Sequence, residues 1–266
     1  MRRQATLIAF HGEKPPALAE IIGLCQELLT RKLGSFAAYD LHQVHATIVG
    51  LEAAPDRSDV LENLNFKKHR NIGVSMDLAG FCRFLLNGGR VPFAVQMAGF
   101  LDRDYPFSSR ASRPFNRSFS IQGDKAVVMG WPVRGRPLEE TPAGLAVAVQ
   151  EARLYPSTLD EIRVAAQAFG ILHDYHRVPG DVDNDFYFRV GLFKQAIDRT
   201  LQAEVEGAVR DLLARHQPVV LDIDRAALSL VSYSDNTLPL ETSWLWRVAE
   251  AHDFKALYGE TERRSG

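Results

Sequence analysis

Cysteine is scarce in this chain. Cys25 and Cys82 are the two it has, and one pair cannot make a disulfide framework. Each sits in an apolar pattern of helical spacing, IIGLCQELL and LAGFCRFLL. Both read as small core residues of a reducing compartment. No C-x-x-C or other metal-ligand spacing occurs, so no metal is expected. Long apolar runs are missing too. The N-terminal run over 5–10, broken by Thr6, is too short for a signal-peptide core or a membrane span. The expectation is a cytoplasmic protein with no membrane partner. Charge of one sign is also absent: 31 Lys+Arg against 33 Asp+Glu leaves −2. No global field recruits nucleic acid or an anionic surface, although a local basic patch is allowed. Three sequence signatures are absent as well: the P-loop, the G-x-S-x-G elbow and the G-x-G-x-x-G turn.

What remains is an ordinary globular composition, 46% hydrophobic, 24% charged and 9% aromatic over 266 residues. That length allows one large domain or two small ones. Residues 4–10 read as a buried strand. A turn, His11-Gly12-Glu13-Lys14-Pro15-Pro16, leads into a helix, since proline is tolerated in a first turn. Leu18, Ile21, Ile22, Cys25, Leu28 and Leu29 recur at helical spacing and predict an amphipathic helix ending near Gly34. Residues 36–52 read as strand-rich. The charged stretch 55–71 reads as surface, 76–86 as a second helix stopped by Asn87-Gly88-Gly89, and 92–100 as a strand. Residues 119–131 read as a hairpin turning at Gly123-Asp124-Lys125. Residues 134–144 read as linker and 145–170 as mostly helix with a break near Pro156.

The second half repeats the opening. Residues 185–193 predict a strand, and Ile197, Leu201, Val205, Val209, Leu212 and Leu213 an amphipathic helix. Residues 219–234 are strand-rich. Strand, helix, strand thus occurs at 4–52 and again at 185–234, which suggests an internal duplication. The fold class expected is α+β: one bilobal, pseudo-symmetric domain with a central cleft. Its first lobe is about 1–133 and its second about 181–250, joined through 134–180. Laying one copy on the other sets Asp40 against Asp222, His45 against Ala227 and Thr47 against Ser229. Residues two apart share a strand face, so His45 and Thr47 point the same way. The imidazole can move a proton near neutral pH, and the hydroxyl can donate to a phosphate oxygen.

His45-Ala46-Thr47-Ile48, flanked by apolar residues and set in duplicated strand-helix-strand units, resembles the two-histidine (2H) phosphoesterase superfamily. That family includes RNA 2′,3′-cyclic phosphodiesterases and the so-called 2′-5′ RNA ligases, and its pattern is His-x-Thr/Ser-x, twice. The resemblance implies a phosphodiesterase, or a degenerate relative, acting on RNA ends or cyclic nucleotides without a cofactor. His45 would transfer the proton, and Thr47 and Ser229 would hold the phosphate. The second motif departs from the pattern: it reads Ala227-Leu228-Ser229-Leu230, its hydroxyl kept and its histidine gone. A missing acid or base removes on the order of 10²–10⁴ in rate. Whether the chain is an enzyme at all is therefore open. The alternative is a non-catalytic RNA- or nucleotide-binding protein on the same scaffold. Replacements for the absent group are Tyr233 and Arg225, which flank the vacant position, and His11 at the end of the first strand. Arg225 shares the parity of Ala227 and Ser229 and is expected to face the cleft.

Other residues carry blander expectations. His42 faces away from His45 and reads as structural. His173 and His176, with Asp174, Asp181, Asp183 and Asp185, read as a solvated acidic loop over a cation site. The loop 103–117 interleaves Arg110, Arg113 and Arg117 with Tyr105, Phe107 and Phe115, a mixture that suits either single-stranded nucleic acid or a plain surface loop. Trp131 is either a cleft aromatic that stacks a base or a core residue. Trp244 and Trp246 read as packing of a C-terminal segment, and 260–266 as a frayed tail.

Overall fold

The computed structural model describes residues 2–55, 60–134, 155–248 and 254–259. The predicted linker and helix start over 135–154 and the predicted frayed tail over 260–266 lie outside the described residues. The fold is α+β. Strand β1 (Gln4–Ala9) is followed by helix α1 (Pro16–Lys32), which starts at a proline and carries Arg31 and Lys32 in its last turn. Basic side chains suit the negative end of the helix dipole. The residues α1 buries are Leu18, Ile21, Ile22, Cys25, Leu28 and Leu29, the same set that the helical spacing picks out. Then come β2 (Phe36–Ala38), β3 (Ala46–Gly50), β4 (Ala53–Pro55) and β5 (Leu61–Asn63). Helices α2 (Leu64–Arg70) and α3 (Leu78–Asn87) precede β6 (Phe93–Met97). A short α4 (Pro114–Arg117) leads into the hairpin β7 (Phe119–Gln122) and β8 (Lys125–Val133), and α5 (Thr158–Ala166) follows. The chain closes with β9 (Phe186–Phe193), α6 (Arg199–Arg215), β10 (Val219–Ile223), β11 (Leu228–Tyr233) and β12 (Ser243–Arg247).

Ten strands share one sheet in the order β10-β6-β8-β9-β3-β1-β11-β12, with β2 also on β9 and β7 also on β8. Strands β4 and β5 form a separate ribbon. The two halves of the large sheet meet where β3 pairs β9 at Ala46↔Phe188. The order strand, helix, strand, strand recurs in β1-α1-β2-β3 and β9-α6-β10-β11, and one cross-pairing recurs with it, β1 with β11 and β9 with β3, while the other partners differ. Strand β1 lies between β3 and β11, whereas β9 lies against β8 and also pairs β2 and β3. Strand β1 is apolar on both faces because both faces are covered: Leu7 and Ala9 enter the main core, while Ile8 packs with Val231, Tyr233 and Leu238. A strand buried on both sides reads as a continuous apolar run rather than an alternation.

Three segments depart from expectation. The stretch 55–71 contains β5 and α2 and buries Asn63, Asn65 and Phe66, so it is not simply surface. The acidic loop after α5 is solvated only in part: 177–180 are exposed, but His173, His176, Asp183 and Asp185 are buried, Asp183 and Asp185 against Arg163 and His176 against Asp160. Arg163 is 0% exposed, and a buried guanidinium needs counter-charges close by. No group of three or more His, Cys, Asp or Glu able to hold a metal is found among the described residues. The loop 103–117 is also less free than its composition suggests. Arg113 pairs with Asp102 and Asp104, and Arg110 and Arg117 with Asp185. Tyr105 and Phe107 pack on the cluster of Phe100 and Trp131. Cys25 and Cys82 are buried and unpaired. Among the described residues no helix is long and apolar enough to cross a membrane.

Candidate functional site

His45 stands immediately before β3, at the exit of a turn that its own sequence builds. Asp40 starts the turn: its side chain accepts from the His42 N–H at 2.7 Å, and its carbonyl accepts from the amides of Gln43 and Val44. Aspartate favours such turns because its carboxylate mimics a backbone acceptor. The Gln43 side-chain amide then donates to the Thr237 carbonyl at 2.7 Å, tying this turn to the loop after β11. The Gln43 carbonyl lies 2.8 Å from His45 Nδ1. A carbonyl only accepts, so Nδ1 carries the hydrogen and Nε2 presents a lone pair. His45 lines a cleft of about 340 Å³ together with Thr47, Tyr187, Arg189, Glu52 and Tyr233. That volume is at the small end of ligand sites, which run from about 300 to 1,000 Å³.

Burial pushes the His45 imidazole down to about 3, against the pull of its bond to Gln43. The nearby His11, Arg189 and Lys14 push it further in the same direction. His45 is therefore neutral at physiological pH, in the form a general base requires. Thr47 follows two residues later and lines the cleft with the Tyr187 phenol. Arg189 is positioned by β9, where Phe188 pairs Ala46 and turns into the core, leaving Tyr187 and Arg189 on the cleft side.

His11 is brought to His45. The ring centroids are 5.8 Å apart, and His11 Nε2 donates to the Leu238 carbonyl at 3.2 Å. Its Nδ1 is buried and has no hydrogen-bond partner among the described residues. Burial also lowers the pKa of His11, partly offset by the Leu238 bond. Phe10, just before it, and Leu238, its acceptor, both hold positive φ, at 61° and 52°. Such backbone costs a bulky residue on the order of 1–3 kcal/mol and persists only where its surroundings enforce it.

The remaining predicted residues scatter. Ala227 stands one residue before β11 as His45 stands one before β3, and its carbonyl accepts from the Phe10 N–H at 3.1 Å. Ser229 pairs Ile8, which in turn pairs Thr47. The two hydroxyls thus lie in one row across the sheet with the fully buried Ile8 between them, and Ser229 does not line the cleft. Arg225 corrects its expectation: it sits in the turn before β11, exposed, donating to the Leu86 carbonyl at 2.6 Å. Strand parity does not apply there because 224–227 is not strand. Trp131 is 1% exposed, edge-on to Phe100, with its indole N–H on Asp185 at 2.8 Å. It is a core residue, and no face of it is free to stack a base. Tyr233 does line the cleft, but its phenol donates to Glu52 Oε1 at 3.0 Å, and burial raises its pKa.

Several further cleft residues were not picked out as site residues by the sequence, His173 and Asp174 having been read as part of a solvated loop. Glu52 follows β3, and burial raises its carboxyl pKa against the hydrogen bonds it receives from its own backbone and from Tyr233. Asn65 and Lys68 come from α2, and His173, Asp174 and Tyr175 from the loop after α5. Lys68 pairs with Asp174 at 2.8 Å. Behind β3, Arg163 donates to the carbonyls of Thr47 at 3.0 Å and Ile48 at 2.9 Å, and to Asp183. It fixes the strand that carries Thr47. The one signal for it was a basic residue on the apolar face Leu159, Ile162, Ala166.

No protein-family model matches the chain, and no curated protein does. Among solved structures it is similar to the crystal structure of TT0787 of Thermus thermophilus, at 13% identity and a TM-score of 0.40. The alignment covers 92% of this chain and 94% of that one. The likeness is distant and assigns no family.

Proposed function

We propose that the chain is a 2H-like phosphodiesterase, or a degenerate relative, acting on RNA ends or cyclic nucleotides. The observation that carries the reading is His45. Its tautomer is set by the Gln43 carbonyl, its Nε2 lone pair is left available, and it lines a cleft with the Thr47 hydroxyl and the Arg189 guanidinium. On a 2′,3′-cyclic phosphate, water adds to phosphorus and gives its proton to Nε2. One P–O bond of the cyclic phosphate breaks, and the leaving ribose oxygen takes a proton from solvent. Arg189 balances the phosphate charge, and Thr47 orients an oxygen. An anionic phosphodiester beside Nε2 raises the imidazole pKa, because an opposite charge favours the imidazolium. We read the two strand-helix-strand units as a duplication in which Ala227 occupies the second histidine's place. We also read the protein as cytoplasmic, consistent with its unpaired thiols.

Ala227 favours the second reading, a binding protein, since no imidazole stands before β11. Turnover separates the two. Wild type, His45→Ala and Ala227→His are assayed on 2′,3′-cyclic nucleotides, cyclic-phosphate-ended RNA and 2′-5′-linked dinucleotides. The enzyme reading expects slow wild-type hydrolysis that falls by about 10²-fold or more in His45→Ala. An inert wild type that gains activity in Ala227→His identifies a binding scaffold. Absence of both turnover and binding in all three overturns the phosphodiesterase reading.

A further inference from the structure

The cleft is a groove with two chemically different ends. His45, just before β3, marks one end, with Arg189 and Thr47 beside it. Glu52, just beyond β3, marks the other. Between them the chain is nearly all extended. Seven steps at roughly 3.3 Å each come to about 23 Å along the chain, less what the irregularity opposite Leu7/Ile8 removes. Thr47, Gly50 and Glu52 all face the groove. A phosphate and one nucleoside are much shorter than this.

The far end is polar and built. Glu52 accepts from the Tyr233 phenol at 3.0 Å. Asn65 is buried and held by its amide donating to the Leu172 carbonyl at 3.0 Å. Lys68 is neutralised by Asp174. Gly50 gives the carboxyl room: a Cβ there would come within 2.5 Å of Glu52 Oε2. The positive charge of Lys68 is balanced, and the Glu52 carboxyl keeps acceptor capacity beyond the Tyr233 bond. Such an end suits neutral hydrogen-bond donors rather than a second phosphate.

We propose that Glu52 is a specificity residue: it accepts hydrogen bonds from the nucleoside upstream of the reacting phosphate, so that the groove prefers an oligonucleotide end over a mononucleotide. The donors are ribose hydroxyls or base N–H groups. The inference rests on the phosphodiesterase reading and adds a length and polarity for the substrate: 3′-terminal phosphate at His45, preceding nucleoside at Glu52.

The test compares kcat/KM for a 2′,3′-cyclic mononucleotide with that for the dinucleotide ending in the same cyclic phosphate. Wild type should prefer the dinucleotide by about tenfold or more, as a hydrogen bond to a charged group allows. Glu52→Leu should abolish the preference, mainly through KM for the dinucleotide. Tyr233→Phe, which keeps the ring and removes the hydroxyl, should reduce it by about fivefold, the worth of one ordinary hydrogen bond. It serves where Glu52→Leu does not fold. A 2′-deoxy upstream nucleoside that loses the preference assigns the donor to ribose, and one that keeps it assigns the donor to the base. Equal rates on the two substrates in wild type, or a preference that survives in both variants, overturns the inference while leaving hydrolysis intact. No turnover or binding of either substrate overturns the phosphodiesterase reading itself and this inference with it.

Discussion

Arg163 shows how much of the site depends on a residue that never touches the cleft. Its guanidinium is fully buried and donates to Asp183, to the Asp185 carbonyl and to the carbonyls of Thr47 and Ile48. Burial alone would raise the Asp183 carboxyl, but the Arg163 charge and the His173 bond hold it well below the usual carboxylate range. Arg163→Met takes from that carboxylate its nearest cation, leaving it Arg110 at 3.8 Å, and frees two carbonyls of the strand that carries Thr47. Such losses cost about 3–5 kcal/mol. Urea unfolding of Arg163→Met should show a loss of that size, and the double variant with Asp183→Asn a smaller one, because no bare charge remains. An Arg163→Met protein as stable as wild type would mean that the pair is not coupled. At this scale the sequence was legible for His45 and Thr47, whose spacing puts both side chains on one face. It was illegible for Arg163, Glu52 and Arg189, whose roles come from partners distant in the chain.

Among the elements, the long helices were the most readable. In α1 the apolar spacing, the leading proline and the basic last turn all agree, and tertiary packing leaves nothing to override. Helix α2 shows the opposite case. LNFKKHR is short, with four basic residues in its last turn, and as a sequence it looks like surface. Its start is fixed by Asn63, which is 0% exposed. The Asn63 side chain accepts from the amides of Phe66 at 3.0 Å and Leu172 at 3.3 Å, and donates to the Glu52 carbonyl at 3.3 Å. One amide thus caps α2, anchors the loop carrying His173, and holds the backbone of Glu52. Asn63→Ala removes a cap worth about 1 kcal/mol and leaves a buried Leu172 N–H unpaired at about 1–3 kcal/mol. A destabilisation of about 2–4 kcal/mol is expected by denaturant melting. A change under about 0.5 kcal/mol, within the range of an ordinary surface substitution, would show that water replaces the amide at all three contacts. Arg225 marks the limit of period-two reasoning: parity predicts a face only within a strand, and Asp224 side-chain bonds to the amides of Ala226 and Ala227 curl this segment into a turn.

For the whole molecule, the order of elements was legible because it depends on local periodicity. The sheet order was not, since β1 between β3 and β11 is a choice among long-range pairings that no local pattern encodes. The same packing that builds the cleft sets how stability depends on pH. His45 is pushed by burial from 6.5 to about 3, and His173 from 6.5 to about 4, with His11 lowered in the same direction. His173 makes the reason concrete: Nε2 bonds Asp183 at 3.2 Å, while Nδ1 is buried without a partner among the described residues. A second proton there would create a buried N–H with no acceptor. Below the unfolded value of 6.5, the unfolded chain takes up protons that these folded imidazoles refuse. Their contribution is therefore full above pH 6.5 and is lost progressively as pH falls toward about 3–4. Glu52 acts with the opposite sign: its raised carboxyl favours the folded state most below its unfolded value of 4.5, and that share fades as pH rises. With three histidines against one carboxyl, the urea midpoint should fall continuously from about pH 7 to pH 4.5. His173→Asn should fall less steeply over the same range, having one fewer suppressed imidazole. A midpoint flat across that interval would mean that these rings protonate freely in the folded protein. His45 would then be an ordinary solvent-facing imidazole, and the fixed tautomer on which the phosphodiesterase reading depends would be lost.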